Sequence, residues 1–201
     1  GDALATFFEA DTCNKSCKPN CLTGATPPTR SAMALARLCY DTLLEFGLQA
    51  KLAVEQGVCT PAVEAIVEAN TLLSGLGFES GGLAGAHSVH NGLTVLPATH
   101  TKYHGQKVSF GVLTQLVMEG RSSCEIDEVL EFCLAVDLPI TLEDIGINNP
   151  SKEDIRKVAE ATAAPGETIH ATWFTVTPDL VEGAIWAADA LGRAWKKGCE
   201  A

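Results

Sequence analysis

Residues 122–133, SSCEIDEVLEFC, carry the clearest structural signal in the sequence. Ser122 and Glu125 have the S-x-x-E spacing of a capping box, in which two residues satisfy each other's free backbone N–H groups at the start of a helix. Apolar residues follow at the spacing i, i+3, i+4 and i+7: Ile126, Val129, Leu130 and Cys133. The stretch therefore predicts a helix that packs one apolar face on a core.

Similar helix signals recur along the rest of the chain. Thr60 before Pro61, and Thr177 before Pro178, each place an N-cap residue ahead of a proline at the first helical position. Apolar spacing predicts a long helix over about Arg30–Glu55. The segment 172–176 is the only one that resembles a strand. The sequence as a whole predicts an all-α, bundle-like fold.

The composition restricts the class of protein. The chain has 201 residues, of which 46% are hydrophobic, so it can bury a core as one helical domain over residues 1–201. Its 25 acidic residues outnumber its 14 basic ones, and no basic stripe is available to neutralise a phosphate backbone or an anionic bilayer. We therefore expect neither nucleic acid nor a membrane as a partner.

The start of the chain and its apolar runs bear on location. No apolar run reaches the roughly 18 to 20 residues of a membrane span, and the amino terminus lacks the pattern of a signal peptide. We therefore expect a cytoplasmic protein. The sequence opens at Gly1 and passes directly into helix-like residues, which is the pattern expected of a piece separated from a longer chain.

The eight cysteines are scattered, and their spacing does not suggest a disulfide framework. Most are expected to be reduced thiols of the core or the surface. Cys13, Cys17 and Cys21 are spaced as C-x3-C-x3-C, whereas zinc sites usually use closer pairs and iron–sulfur clusters need a fourth thiolate. We interpret this run as a solvent-facing loop.

Residues 78–111, FESGGLAGAHSVHNGLTVLPATHTKYHGQKVSFG, hold four of the five histidines of the chain. His87 and His90 share one face of a predicted helix that is capped by Ser80 and ended by Pro97. The glycines at its start are expected to let another backbone approach closely. His104 is predicted to lie on the loop that follows, just before the next helix.

Imidazoles from a helix and an adjoining loop can bind one metal ion. A carboxylate from a remote segment would complete a three-ligand set that leaves one coordination position open to a substrate. Spacing alone does not select the histidines or the carboxylate. The alternative is that these histidines only make hydrogen bonds in a polar contact between helices.

Five motifs, together with the histidine at position 87, resemble the glycerol dehydrogenase branch of the iron-containing alcohol dehydrogenase superfamily, in the same order and over nearly the full chain. They are GDALAT (1–6), GFESGGLA (77–84), HNGLT (90–94), YHG (103–105) and GETIH (166–170). The resemblance implies the C-terminal helical domain of a two-domain polyol dehydrogenase, without its N-terminal α/β nucleotide-binding domain. Two features depart from the family: a longer segment 13–21, and Ala171 where an asparagine commonly follows the histidine.

The resemblance also implies a metal centre. Its zinc ligands correspond to Asp2, His87 and His104, which would act in catalysis through the metal. Phe78 corresponds to an aromatic that lines the polyol pocket together with His87, and His90 would orient a ligand, relay a proton or serve packing alone. Related iron enzymes use a further histidine where this chain has Thr6, and this difference favours zinc.

The activity implied by the resemblance is oxidation of glycerol to dihydroxyacetone, and of related vicinal diols. Zinc would act as a Lewis acid on the substrate hydroxyl, and NAD, bound mainly by the missing domain, would accept the hydride. The Gly-rich run 81–85 has no preceding strand and is not a dinucleotide site, so this chain alone is expected to be inactive. The family implies a homo-oligomer for the full-length protein.

Two other functions remain open at this point. A two-His-one-carboxylate set also suits Fe(II), and metal analysis distinguishes zinc from iron. A non-catalytic helical module for interaction or oligomerisation would have the same apolar helices and glycine contacts. Absence of stoichiometric metal would favour that module.

Overall fold

The computed structural model describes residues 1–24 and 26–199, without the side chain of Cys199. No residue in these ranges is in a strand, and the segment 172–176 forms bends and coil, which confirms the all-α prediction. The described residues form nine α-helices: α1 (Asp2–Ser16), α2 (Arg30–Glu55), α3 (Pro61–Glu68), α4 (Ser74–Gly81), α5 (Gly85–Leu93), α6 (His104–Met118), α7 (Ser123–Ala135), α8 (Lys152–Thr162) and α9 (Pro178–Cys199). A π-helical turn, Ala69–Leu73, joins α3 to α4.

Helix starts that are encoded locally lie where the sequence predicts them. The capping box before α7 is confirmed, because Ser122 Oγ accepts from the Glu125 N–H at 3.3 Å and the Ser122 N–H donates to Glu125 Oε2 at 3.2 Å. The helix Arg30–Glu55 has the predicted bounds, and its N-cap Thr29 accepts a hydrogen bond from the backbone of Ala32. The proline signals before α3 and α9 are confirmed as well.

Three predictions around the histidines are wrong in detail. Ser80 lies inside α4 and caps no helix, since the chain turns only at Gly82, where φ is +89°. The histidine helix α5 ends at Leu93, ahead of Pro97. His104 is the first residue of α6 and does not lie on a loop, and its helix starts where the Tyr103 N–H donates to Gln106 Oε1 at 3.0 Å.

Helix α6 forms the centre of the core. Every residue from 107 to 116 is buried, and the helix contacts α1, α5, α7 and α9. A helix that is buried on all sides needs neighbours around its whole circumference. Contacts with α6 therefore position both the beginning of α1 and helix α5.

Helices α5 and α6 cross at very short distance. A Cβ atom on Gly111 would lie 2.4 Å from the carbonyl oxygen of Ala86, so only glycine allows this approach. The close backbone approach predicted for the 81–85 glycines is confirmed at Gly81, where a Cβ would meet Ala10 at 2.7 Å. These contacts fix the position of the residue after Ala86, which is His87.

The thiols of the described residues are free. These are Cys13, Cys17, Cys21, Cys39, Cys59, Cys124 and Cys133. Cys17 and Cys21 are exposed as expected, but the loop interpretation is wrong for Cys13, which is buried in α1 with its Sγ 3.3 Å from the carbonyl of Leu83. Among the residues that the structure describes, no helix combines the length and apolar character needed to cross a membrane.

Candidate metal centre

The structure brings Asp2, His87 and His104 together. Asp2 Oδ1 lies 3.0 Å from His87 Nε2 and 3.4 Å from His104 Nε2. One carboxylate oxygen and two ring nitrogens, one from each residue, lie within 4.8 Å of one another. Among the described residues, this is the one group of at least three histidine, cysteine or acidic side chains that meets this distance.

The starts of α1 and α6 place two of these residues side by side. Gly1 precedes α1, and a Cβ on it would lie 2.0 Å from the carbonyl oxygen of Gly105 in the first turn of α6. This contact requires glycine, and it sets Asp2 next to His104. Asp2 is also in the first turn of its helix, where the free N–H groups stabilise a negative charge.

His87 lies between two carboxylates. Its Nδ1 is 2.6 Å from Glu9 Oε2, while its Nε2 faces Asp2. Burial of the ring lowers the pKa of His87, but the charge of Glu9 and hydrogen bonds to Asp2 and Glu9 outweigh burial and raise the pKa to about 10. The hydrogen bond from His87 is the main cause of a lowered pKa of Asp2. In the metal-free protein these contacts therefore favour a protonated His87 ring beside an ionised Asp2.

His104 is held on its other side by His90. The His90 Nε2 lies 3.1 Å from His104 Nδ1, and the His90 Nδ1 lies 3.1 Å from Asn91 Oδ1. The Asn91 side-chain amide then donates to Glu167 Oε2 at 3.0 Å. Burial, the first cause, and the neighbouring positive charges lower the pKa of His90, so a neutral ring that accepts from His104 is favoured.

The remaining sequence candidates lie outside the cluster. His100 is exposed, and its Nε2 is 2.9 Å from the carbonyl oxygen of Thr94. Phe78 lies on α4 with 38% of its surface exposed. Its role at a polyol pocket stays a prediction.

Sequence reasoning missed Glu9, whose side chain is 0% exposed. It follows Asp2 by seven residues on α1, so two helical turns place both on similar faces of the helix. One signal in the sequence could have identified Glu9: it is an acidic residue seven positions after Asp2, between the apolar residues Phe8 and Ala10.

The donor set fits a divalent ion. With Nδ1–H groups donating to Glu9 and His90, the neutral rings of both ligand histidines would carry their lone pairs on Nε2, the nitrogens that face Asp2. One carboxylate and two neutral imidazoles suit Zn²⁺ and also Fe²⁺. Side-chain exposure is 55% for Asp2 and 50% for His104 but only 16% for His87, so the cluster opens to solvent on one side.

The chain is similar to known proteins over almost its whole length. No family model matches the chain. It is 52% identical to a glycerol dehydrogenase of Citrobacter freundii over 97% of this chain and 53% of the relative. It is 54% identical to a glycolaldehyde reductase of Halobacterium salinarum over 96% of this chain and 52% of that relative. A crystal structure of a probable glycerol dehydrogenase from Sinorhizobium meliloti aligns with a TM-score of 0.92 and 48% identity, over 96% of this chain and 54% of that one.

The similarity covers almost all of this chain but only part of each relative. The chain spans about half the length of the curated relatives it matches. Its fold and sequence are those of the helical part of a polyol-type dehydrogenase. The chain belongs to the glycerol dehydrogenase family and corresponds to the C-terminal, helical part of its members.

Proposed function

We propose that this chain is the helical metal-binding domain of a zinc- and NAD-dependent dehydrogenase that oxidises glycerol to dihydroxyacetone, and related vicinal diols similarly. Asp2, His87 and His104 are the proposed zinc ligands. The observation that carries the proposal is the convergence of these three side chains within 4.8 Å, in a chain 52% identical to a glycerol dehydrogenase.

Each residue of the proposed metal centre has a different role. Asp2 would contribute a negative charge, and the two imidazoles would contribute neutral nitrogen ligands. Glu9 contacts the Nδ1 of His87, and His90 contacts the Nδ1 of His104. A bound zinc ion would supply Lewis acidity that lowers the pKa of a substrate hydroxyl. The exposed side of the cluster, next to Asp2 and His104, is the side from which a small polyol can approach. Phe78 and His87 are proposed to contact that polyol, and His90 to orient His104.

Zinc is favoured over iron by the residue at position 6. Thr6 is 2% exposed, and its hydroxyl is 2.9 Å from the Ser74 hydroxyl, so it offers no additional imidazole to the centre. This agrees with a three-ligand set that leaves a position open to substrate. The same set can act on a carbonyl in the reverse reaction. The similarity to a glycolaldehyde reductase makes reduction of small hydroxyaldehydes a second candidate activity.

NAD is proposed to be bound mainly outside these residues. The nucleotide-binding domain implied by the resemblance would supply the pyrophosphate site, and NAD would accept the hydride. We therefore propose that the 201-residue chain is inactive by itself. A homo-oligomer and a cytoplasmic location for the whole protein stay predictions.

The test uses the protein isolated from its natural source, together with any chain attached to it. We expect one zinc per 201-residue unit, formation of NADH with glycerol and NAD⁺, and loss of activity on chelation that added zinc restores. Stoichiometric iron would contradict the zinc assignment. Absence of any bound metal would contradict the enzymatic proposal and favour a helical interaction module.

Zinc binding by the chain is expected to strengthen as pH rises. His87 has a pKa of about 10 in the metal-free protein, so at neutral pH its ring carries a proton that must leave before Nε2 can bind zinc. One proton lost per zinc makes the apparent affinity rise about tenfold per pH unit between about pH 7 and pH 9. Competition with a chromophoric chelator at several pH values measures this slope.

The same protonation affects the stability of the metal-free protein in the opposite direction. Because the folded-state pKa of His87 is raised, its stabilising contribution is complete below the unfolded value of about 6.5 and is lost as pH rises through about 10. The zinc prediction would be contradicted by an affinity that does not change between about pH 7 and pH 9, because no proton would then leave His87 when zinc binds.

A further inference from the structure

Glu9 is a buried carboxylate whose one charged partner among the described residues is the imidazole of His87. Its side chain is 0% exposed, and its ion pairs include no lysine or arginine. A buried charge is costly unless hydrogen bonds compensate it, so the groups around Glu9 indicate why it is there. These groups are two backbone N–H groups and one imidazole, and all of them belong to the start of the histidine helix α5.

The first contact of Glu9 is with the backbone. Its Oε1 accepts from the N–H of Ala84 at 2.9 Å and from the N–H of His87 at 3.0 Å. Helix α5 begins after Ala84 and has no cap from its own side chains, while Gln115 of α6 accepts from the N–H of Ala86 at 2.8 Å. Side chains of α1 and α6 therefore satisfy the free N–H groups of α5, and the negative charge of Glu9 suits a helix start.

The second contact of Glu9 is with the imidazole of His87. The other oxygen, Oε2, lies 2.6 Å from Nδ1. An ionised carboxylate only accepts hydrogen bonds, so Nδ1 must carry the proton and the lone pair of a neutral ring must be on Nε2. Nε2 is the atom that faces Asp2 at 3.0 Å.

We propose that Glu9 is a positioning residue of the metal centre: one oxygen holds the backbone of α5, and the other fixes the ring orientation and tautomer of His87 so that Nε2 is available to the metal. This inference rests on the proposed zinc site. Carboxylates that accept from a ligand histidine typically contribute 10- to 100-fold to metal affinity. Glu9 touches neither substrate nor cofactor in this role.

The variant Glu9→Gln tests the role with little change in shape. The amide oxygen can still accept from Ala84 and His87, but the amide nitrogen donates to Nδ1, which then carries no proton. The proton moves to Nε2 and blocks the atom that should bind zinc. We expect zinc affinity, corrected for the proton that leaves His87 and measured by competition with a chelator at several pH values, to fall by about 10- to 100-fold, while the circular dichroism stays that of a helical protein.

The matched control is Glu119→Gln. The side chain of Glu119 is also 0% exposed, and it pairs with Arg121 and accepts from Gln115 without touching a histidine. We expect this control to bind zinc like the unchanged chain, even if it is less stable. Equal losses of affinity in both variants would overturn the inference, because they would show a general effect of a lost buried charge.

Nuclear magnetic resonance of the unchanged, zinc-loaded chain gives a second measurement that does not depend on how a variant folds. We expect a low-field, slowly exchanging proton on His87 Nδ1 and a nitrogen shift of Nε2 typical of metal coordination. Zinc on Nδ1, or wild-type affinity in Glu9→Gln, would overturn the role of Glu9 while leaving the metal site intact. If the unchanged chain binds no zinc, the proposed function fails and the inference fails with it.

Discussion

His104→Ala is expected to abolish stoichiometric zinc binding, and Asp2→Ala and His87→Ala are expected to do the same. Each change removes one of three protein ligands, and two remaining donors hold zinc poorly. The loss should exceed the factor of about 100 that groups orienting a ligand contribute. Elemental analysis after gel filtration, together with chelator competition, measures it.

Asp2→Ala and His104→Ala are expected to disturb the fold less than His87→Ala does. The side chains of Asp2 and His104 are 55% and 50% exposed, so their removal leaves no cavity in the core. His87→Ala leaves the buried Glu9 without its imidazole, and the fold of that variant needs to be checked by circular dichroism.

The matched control is His100→Ala, which removes an exposed histidine outside the cluster and should bind zinc fully. Full zinc retention after any of the three ligand changes refutes that ligand.

Local signals in the sequence are enough to predict several of the helices. The capping box of Ser122 and the first-turn proline Pro61 act within one helical turn, so each can be recognised without knowledge of the fold. The predicted helix Arg30–Glu55 has the observed bounds for the same reason. The prediction for Ser80 is wrong because its helix continues to Gly81, and serine alone does not distinguish a cap from a helical interior.

The surroundings of the site could not be predicted in the same way. Spacing groups the histidines on one stretch, and the family resemblance supplies Asp2, which lies 85 positions before His87 in the chain. Glu9 and Gln115 contact α5 only because α1 and α6 pack against it. An acidic side chain on a helix is usually exposed, so only the tertiary structure shows that Glu9 is buried and faces an imidazole.

The contact of Gly111 with Ala86 is equally invisible in the sequence, and it leads to the second large expected effect. Gly111→Ala would place a methyl carbon 2.4 Å from the carbonyl oxygen of Ala86, which is backbone and cannot turn away. Helices α5 and α6 must then separate in a core that is packed around both. We expect the free energy of unfolding to fall by about 3 kcal/mol, at the upper end of overpacking effects.

The same substitution is expected to weaken zinc binding although Gly111 is not a proposed ligand. His87 follows Ala86 on α5 and His104 begins α6, so separation of the two helices moves the ligand nitrogens apart. The control is Gly183→Ala on α9, where a Cβ meets nothing within 4 Å and alanine should raise stability by up to about 1 kcal/mol. Urea unfolding and chelator competition on both variants give the two readouts. If Gly111→Ala is as stable as the unchanged chain and binds zinc equally well, the close crossing of α5 and α6 does not hold the metal centre in place.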